Sequence, residues 1–177
     1  EQYDRIDDFS EKANDDFLRW QADTVAELKS GFDYNALSPD ARVSYDLWVY
    51  RYESSLALVP FRRREYMFTQ MNDPHAYLPN FLINQHKVDH IDDMQAYIQR
   101  IDGISRAIEQ LLERARVAAK EGARPPRFAY ENVISVSKNL LDGAPFYNSS
   151  GKDTPIWADA NTKISALVEN NNIDQTK

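Results

Sequence analysis

The stretch from residue 91 to 122, IDDMQAYIQRIDGISRAIEQLLERARVAAKEG, decides the fold. Met94, Tyr97, Ile98, Ile101, Ile104, Ile108, Leu111, Leu112, Ala115 and Ala118 recur at steps of three and four. At 3.6 residues per turn they make one apolar stripe roughly eight turns long. Asp92 and Asp93 favour the positive end of a helix dipole, and Gly122 is placed to stop the helix. A strand has a period of two, so this stretch reads as a long amphipathic helix.

Working outward, the same period recurs on both sides. From Tyr3 to about Lys29 the apolar residues Ile6, Phe9, Ala13, Phe17, Trp20, Val25 and Leu28 predict one long helix, closed by Gly31. In LSPDAR (37–42), Ser38 suits the cap, Pro39 the first helical position and Asp40 the first turn. A second helix follows through Val43, Leu47, Tyr50 and Leu56 and weakens near Pro60. Beyond the long helix, Pro125 and Pro126 restart the chain. A shorter helix is predicted through Phe128, Ala129, Val133, Ile134, Val136 and Leu140, closing at Gly143, with a last amphipathic turn or two from Trp157 to Val168.

Between 61 and 90 the helical period is lost. Pro74 and Pro79 argue against a helix interior, and a connector of this length points to a functional or self-packed loop. No strand alternation, internal repeat or low-complexity tract is present. The class is all-α, a bundle of long amphipathic helices with one long ordered loop (about 61–90). At 177 residues it reads as a single helical domain over 1–177, with 144–177 a loosely packed tail. Helical patterning resumes at Ile164, Leu167 and Val168 just before the chain stops in ENNNIDQTK, as at a frayed terminus or in a fragment of a longer protein.

Composition excludes several classes. With 28 acidic and 21 basic residues the net charge is −7, which would repel a polyanion, so nucleic acid is not an expected partner. No apolar run approaches the ~18 residues that span a bilayer, and no basic-then-apolar signal segment opens the chain. Cysteine is absent, which removes disulfides, thiolate metal sites and a cysteine nucleophile together.

Four groups of residues carry chemistry worth testing. In His86-Lys-Val-Asp-His90, two imidazoles four apart would share a helix face and could hold a metal with Asp89 or His75; the alternative is two surface histidines at a helix entrance. Lys87 stands where the pattern H-E-x-x-H needs its general base. Phe-Arg-Arg-Arg-Glu (61–65) places three guanidinium groups at a helix end, either to bind an anion or as a solvated, ion-paired run. The rings of Tyr45, Trp48, Tyr50 and Tyr52 are a stacking platform or, as helical spacing favours, core and interface, with Trp48 the one to watch. Asn148-Ser-Ser fits a glycosylation acceptor. No nucleophile elbow, phosphate loop or dinucleotide fingerprint appears, so the residues by themselves show no active site.

The order of LSPDARVSYDLWVY, TQMNDPHAYLPNFL, an H-x-D-D-x-x-x-Y-I-x-R-I tract and EGARPPRFAYENVI resembles the amino-terminal portion of the bacterial domain of unknown function 885 family, over roughly Leu37 to Phe146. Its most specific pieces are Gln70-Met71, Pro74-His75, Leu78-Pro79 and Pro125-Pro126. The resemblance implies an exported, periplasmic or lipid-anchored bacterial protein. It also implies a helical zinc-metallopeptidase-like parent whose H-E-x-x-x-G-H type motif, and with it the zinc, lies in a carboxy-terminal half with no match here. This chain would then be uncatalytic alone, with no cofactor of its own, and would wall the substrate cleft.

Its partners would be the carboxy-terminal half and a peptide substrate, and the fragment would be prone to self-association. Gln70, His75, Tyr77 and Arg63 are the cleft candidates; the alternative for His75 is a self-packed loop in which it caps backbone groups. Asn72 and Asp73 stand where the family pattern tends to small, glycine-like residues. A stand-alone helical protein-binding module and a small metal-binding bundle using His86 and His90 are the competing readings.

Overall fold

A computed structural model describes residues 3–146 and 151–170. The glycosylation acceptor at 148–150 and the end of the chain from 171 lie outside the described residues. The described residues form six α-helices, α1 (Glu11–Gly31), α2 (Pro39–Leu58), α3 (Pro74–Gln85), α4 (Ile91–Lys120), α5 (Arg127–Leu141) and α6 (Pro155–Glu169), with short 3-10 turns at Tyr34–Ala36 and Val59–Phe61. Among the described residues there is no strand, only an isolated bridge between Ala144 and Asp153. The all-α class expected from the periodicity is what the chain adopts. Among the described residues no helix is long and apolar enough to cross a membrane.

The chain falls into two compact units, one formed by residues 9–65 and the other by residues 1–8 together with 66–177. The first is a helical hairpin of α1 and α2. Ser10 Oγ accepts the Ala13 N–H at 3.1 Å, so α1 begins there and not at Tyr3. The expected single helix from Tyr3 is thus corrected: a cap whose side chain satisfies an orphan N–H outweighs an apolar period that runs through it. Gly31 ends α1 as expected, followed by an extended Phe32. Ser38 Oγ caps α2 by accepting from the Ala41 N–H at 3.3 Å, with Pro39 in the first turn. The Trp20 and Trp48 rings meet edge to face at 5.8 Å, and Tyr34 and Tyr45 do the same at 5.2 Å. Even so, α1 buries only Gln21 and Val25, and α2 buries no residue at all.

In the second unit α3 packs against α4, α5 and α6. Leu82, Tyr97, Ala107, Ala129 and Leu167 are its most deeply buried apolar residues. Residues 74–85, expected to be loop, form α3, and this overturns the non-helical reading of 61–90. Pro74 costs nothing at the first helical position, where its missing N–H has no intrahelical partner. Pro79 lies inside the helix, removing one backbone bond; its burial beside Leu78 and Leu82 offsets that loss. The loop before α3 is turned by Thr69, whose Oγ1 accepts from the N–H groups of Met71 and Asn72, while Asn72 Nδ2 donates to Tyr66 O.

Helix α4 starts where Asp93 Oδ2 accepts from the N–H groups of Asp89 and His90. It ends in a left-handed turn at Gly122, with Ala123 N donating to Ala118 O at 2.9 Å and Gly122 N to Ala119 O at 3.2 Å. Its buried face runs through Met94, Tyr97, Arg100, Gly103, Ile104, Ala107 and Leu111. Ile98 and Leu112, members of the apolar stripe, are exposed. Gly103 lets the amino-terminal segment cross α4, since a Cβ there would stand 3.0 Å from Ile6 Cβ. Gly143, at φ +133°, admits the return of the chain that places Thr154 before α6: a Cβ there would lie 2.4 Å from Lys152 O.

Candidate functional site

Two places in the second unit concentrate polar groups. The first is the start of α3. His75 sits directly after Pro74, in the first turn, and both its ring nitrogens are sealed from solvent with no hydrogen-bond partner among the described residues. The Phe68 ring lies 6.0 Å away, centroid to centroid. Burial holds the imidazole below its ordinary pKa, with Asp73 pulling weakly the other way. A buried polar atom without a partner is destabilising by about 1–3 kcal/mol, so an imidazole left in this state invites a functional explanation.

Gln70 and Tyr77 flank it in sequence, Gln70 in the turn before α3 and Tyr77 on α3 itself, both exposed. Burial of the ring, then Asp7 and Asp73, push the Tyr77 phenol up. Gln70, His75 and Tyr77 thus come from one short segment. Arg63 does not join them within their unit: it belongs to the α1–α2 hairpin, where Nε and Nη2 each donate to Glu11 at 3.0 Å. Its neighbour Arg62 donates to Asp15 at 2.6 Å. Arg62 and Arg63 are therefore ion-paired, in line with the ion-paired alternative for this stretch.

The second place is a polar junction joining α3, α4, α6 and the amino-terminal segment. His86, 2 % exposed, follows the last turn of α3. Arg100 Nη1 lies 3.1 Å from its Nδ1, and its Nε2 lies 2.8 Å from Asp93 O. A guanidinium can only donate, so Nδ1 accepts and Nε2 carries the proton. Burial, with the cations of Arg100 and Lys163, holds the His86 pKa down, against the Asp93 carbonyl and carboxylate. Among the described residues Arg100 has no carboxylate partner; it donates through Nε to Arg5 O at 3.3 Å and lies over the rings of Tyr3 and Phe81 at 5.0 and 5.3 Å.

Beside it, Lys163 Nζ reaches Asp159 at 2.6 Å, Ile83 O at 3.1 Å and Leu82 O at 3.5 Å, so it satisfies terminal carbonyls of α3. Tyr97 donates to the same Asp159 oxygen at 2.8 Å, and burial followed by that bond pushes its phenol up.

The metal geometry proposed for His86 and His90 does not form. The two residues lie on no common helix, His86 closing α3 and His90 preceding α4. Both nitrogens of His86 are already bonded, and no group of three or more His, Cys, Asp or Glu side chains converges among the described residues. These residues do not make a zinc site, and no chemistry here is routed through one.

Periodicity placed Tyr97 in the apolar stripe but gave no partner for its hydroxyl, and it missed Arg100, Asp159 and Lys163. The Asp159–Lys163 pair at i, i+4 was the one legible sign. A shallow groove of about 510 Å³ runs along α6 past Thr162 and Ser165 to Glu169, and none of the four cleft candidates lines it.

Over residues 1–176 the chain matches the family model described as bacterial protein of unknown function (DUF885). No curated protein and no solved structure matches it.

Proposed function

Because the chain belongs to the DUF885 family of bacterial proteins of unknown function, we propose that it is the amino-terminal helical domain of an exported zinc-metallopeptidase-like protein, walling the substrate cleft and bringing no zinc motif of its own. The observation that supports this reading is His75. Its two nitrogens are desolvated and unpartnered at the start of α3, in the segment that also carries Gln70 and Tyr77. Groups left in that condition are retained where a ligand or a second protein surface completes their hydrogen bonds.

In this reading the imidazole stays neutral and offers one donor and one acceptor to a peptide backbone or to the carboxy-terminal half. The zinc belongs to that half. The role of this domain is to orient the substrate, not to transform it.

The test starts with the coding region downstream of Lys177. A frame that runs on into an H-E type zinc motif supports the reading, and peptide hydrolysis by the full-length protein should then fall at least tenfold in His75→Gln, roughly the value of one lost positioning bond. A frame without such a motif, or full activity in that variant, removes it.

A second reading, a stand-alone helical protein-binding module, is favoured by the exposed apolar residues of α5, where Phe128, Tyr130, Ile134 and Leu141 all face outward.

A further inference from the structure

Helix α2 meets α1 through Trp48, whose ring lies on Trp20, and the half-buried Tyr45 and Tyr52 share that face of the helix. On the other side, Val43, Leu47, Tyr50, Ser54 and Ala57 follow one another at steps of four, three, four and three. That is the spacing of a coiled-coil seam, and Val43, Leu47 and Tyr50 are 68 %, 46 % and 66 % exposed. We propose that this seam pairs with the same seam of a second copy of the chain, α2 against α2, side by side and parallel.

Charge selects both the partner and the direction. With Leu47 and Tyr50 at the a and d positions, Asp46 and Glu53 occupy g, and Arg51 occupies e. In a parallel pair each g residue faces the e residue five positions later on its partner, so Asp46 meets the partner's Arg51 twice by symmetry. In an antiparallel pair g faces g, which sets Asp46 and Glu53 against their own kind. Arg51 is exposed and has no ion pair among the described residues. Asp46 accepts from Tyr34 OH through Oδ2, leaving Oδ1 for a partner. Ser54, a small polar residue in the seam, penalises shifted registers that would bury it against a larger apolar group. The inference is independent of the peptidase reading, since it uses only the α1–α2 hairpin.

Sedimentation equilibrium of the full chain tests it. The expected result is a reversible monomer–dimer equilibrium that Tyr50→Glu abolishes, with helicity by circular dichroism unchanged. Asp46→Arg alone and Arg51→Asp alone should each weaken the dimer several-fold to about tenfold, by setting like charges opposite each other. An equimolar mixture of the two variants should recover it, because every g–e contact is then again between opposite charges.

A monomer at all concentrations overturns the proposal and leaves the seam to a helix of another protein. A dimer indifferent to Tyr50→Glu overturns it in favour of another surface. Failure of the mixture to recover the dimer overturns the parallel arrangement.

Discussion

Arg100 Nη1 donates to Nδ1 of His86 at 3.1 Å, and this bond holds a buried imidazole neutral between two cations, Arg100 and Lys163. Protonation of His86 would remove the acceptor that Arg100 uses. The folded pKa lies below the ordinary value of about 6.5, so the unfolded chain binds the proton more readily. Stability is therefore complete above about pH 6.5 and declines as the pH falls through the folded value. His75 adds an effect of the same sign. Urea midpoints measured from pH 8 to pH 5 should fall, and the fall should flatten in His86→Gln; an unchanged slope in that variant would show that His86 does not carry it.

Replacing His75 by Phe should stabilise the isolated chain by about 1–2 kcal/mol, because a ring of similar shape removes two desolvated, unpartnered nitrogens. Thermal unfolding measures it. A loss of stability instead would mean that those nitrogens have a partner in solution, such as an ordered water.

Lys163 holds α6 to the end of α3. It is 15 % exposed at the side chain, and Lys163→Met leaves the Asp159 carboxylate and two carbonyls of α3 without their cation. Breaking one side of such a pair should cost about 2–4 kcal/mol. Asp159→Asn should cost less, as the amide oxygen still accepts from Tyr97. Chemical denaturation of the two variants side by side checks the order.

The Arg63–Glu11 fork has good geometry but is partly exposed, 39 % and 27 % at the two side chains. A double-mutant cycle should return only about 0.5–1 kcal/mol, smaller in high salt. Arg63→Lys should lose most of it, since an ammonium cannot reproduce the two parallel bonds.

Gly103→Leu should expel the segment around Ile6 from α4, where there is no space even for a Cβ without pressing on Ile6. The expected cost is about 1.5–3 kcal/mol, the burial of one Ile, with faster proteolysis near residues 3–8. Ile6→Gly in the same background should lessen the further loss.

Where local chemistry and period agreed, the chain was legible. Ser38, Pro39 and Asp40 start α2, and the long stripe closed by Gly122 is α4. Where they disagreed, the structure decided. The apolar period from Ile6 to Ala13 runs straight through Ser10, but a side-chain bond to Ala13 N starts the helix there, and Ile6 is buried against Gly103 instead. Pro79 spoke against a helix, yet α3 forms around it because burial with Leu78 and Leu82 outweighs one missing backbone bond.

By itself, the sequence determined the all-α class, the start of α2 and the extent of α4, because caps, prolines and periodicity act within a few residues of one another. Only the tertiary structure decided that Arg100 meets His86, that Lys163 closes α3, that Arg63 is held by Glu11 and that the His75 nitrogens have no hydrogen-bond partner among the described residues. Those contacts join residues from 14 to 81 positions apart, apart from the solitary His75. Periodicity says which face of a helix is apolar; it does not say which other element that face will meet.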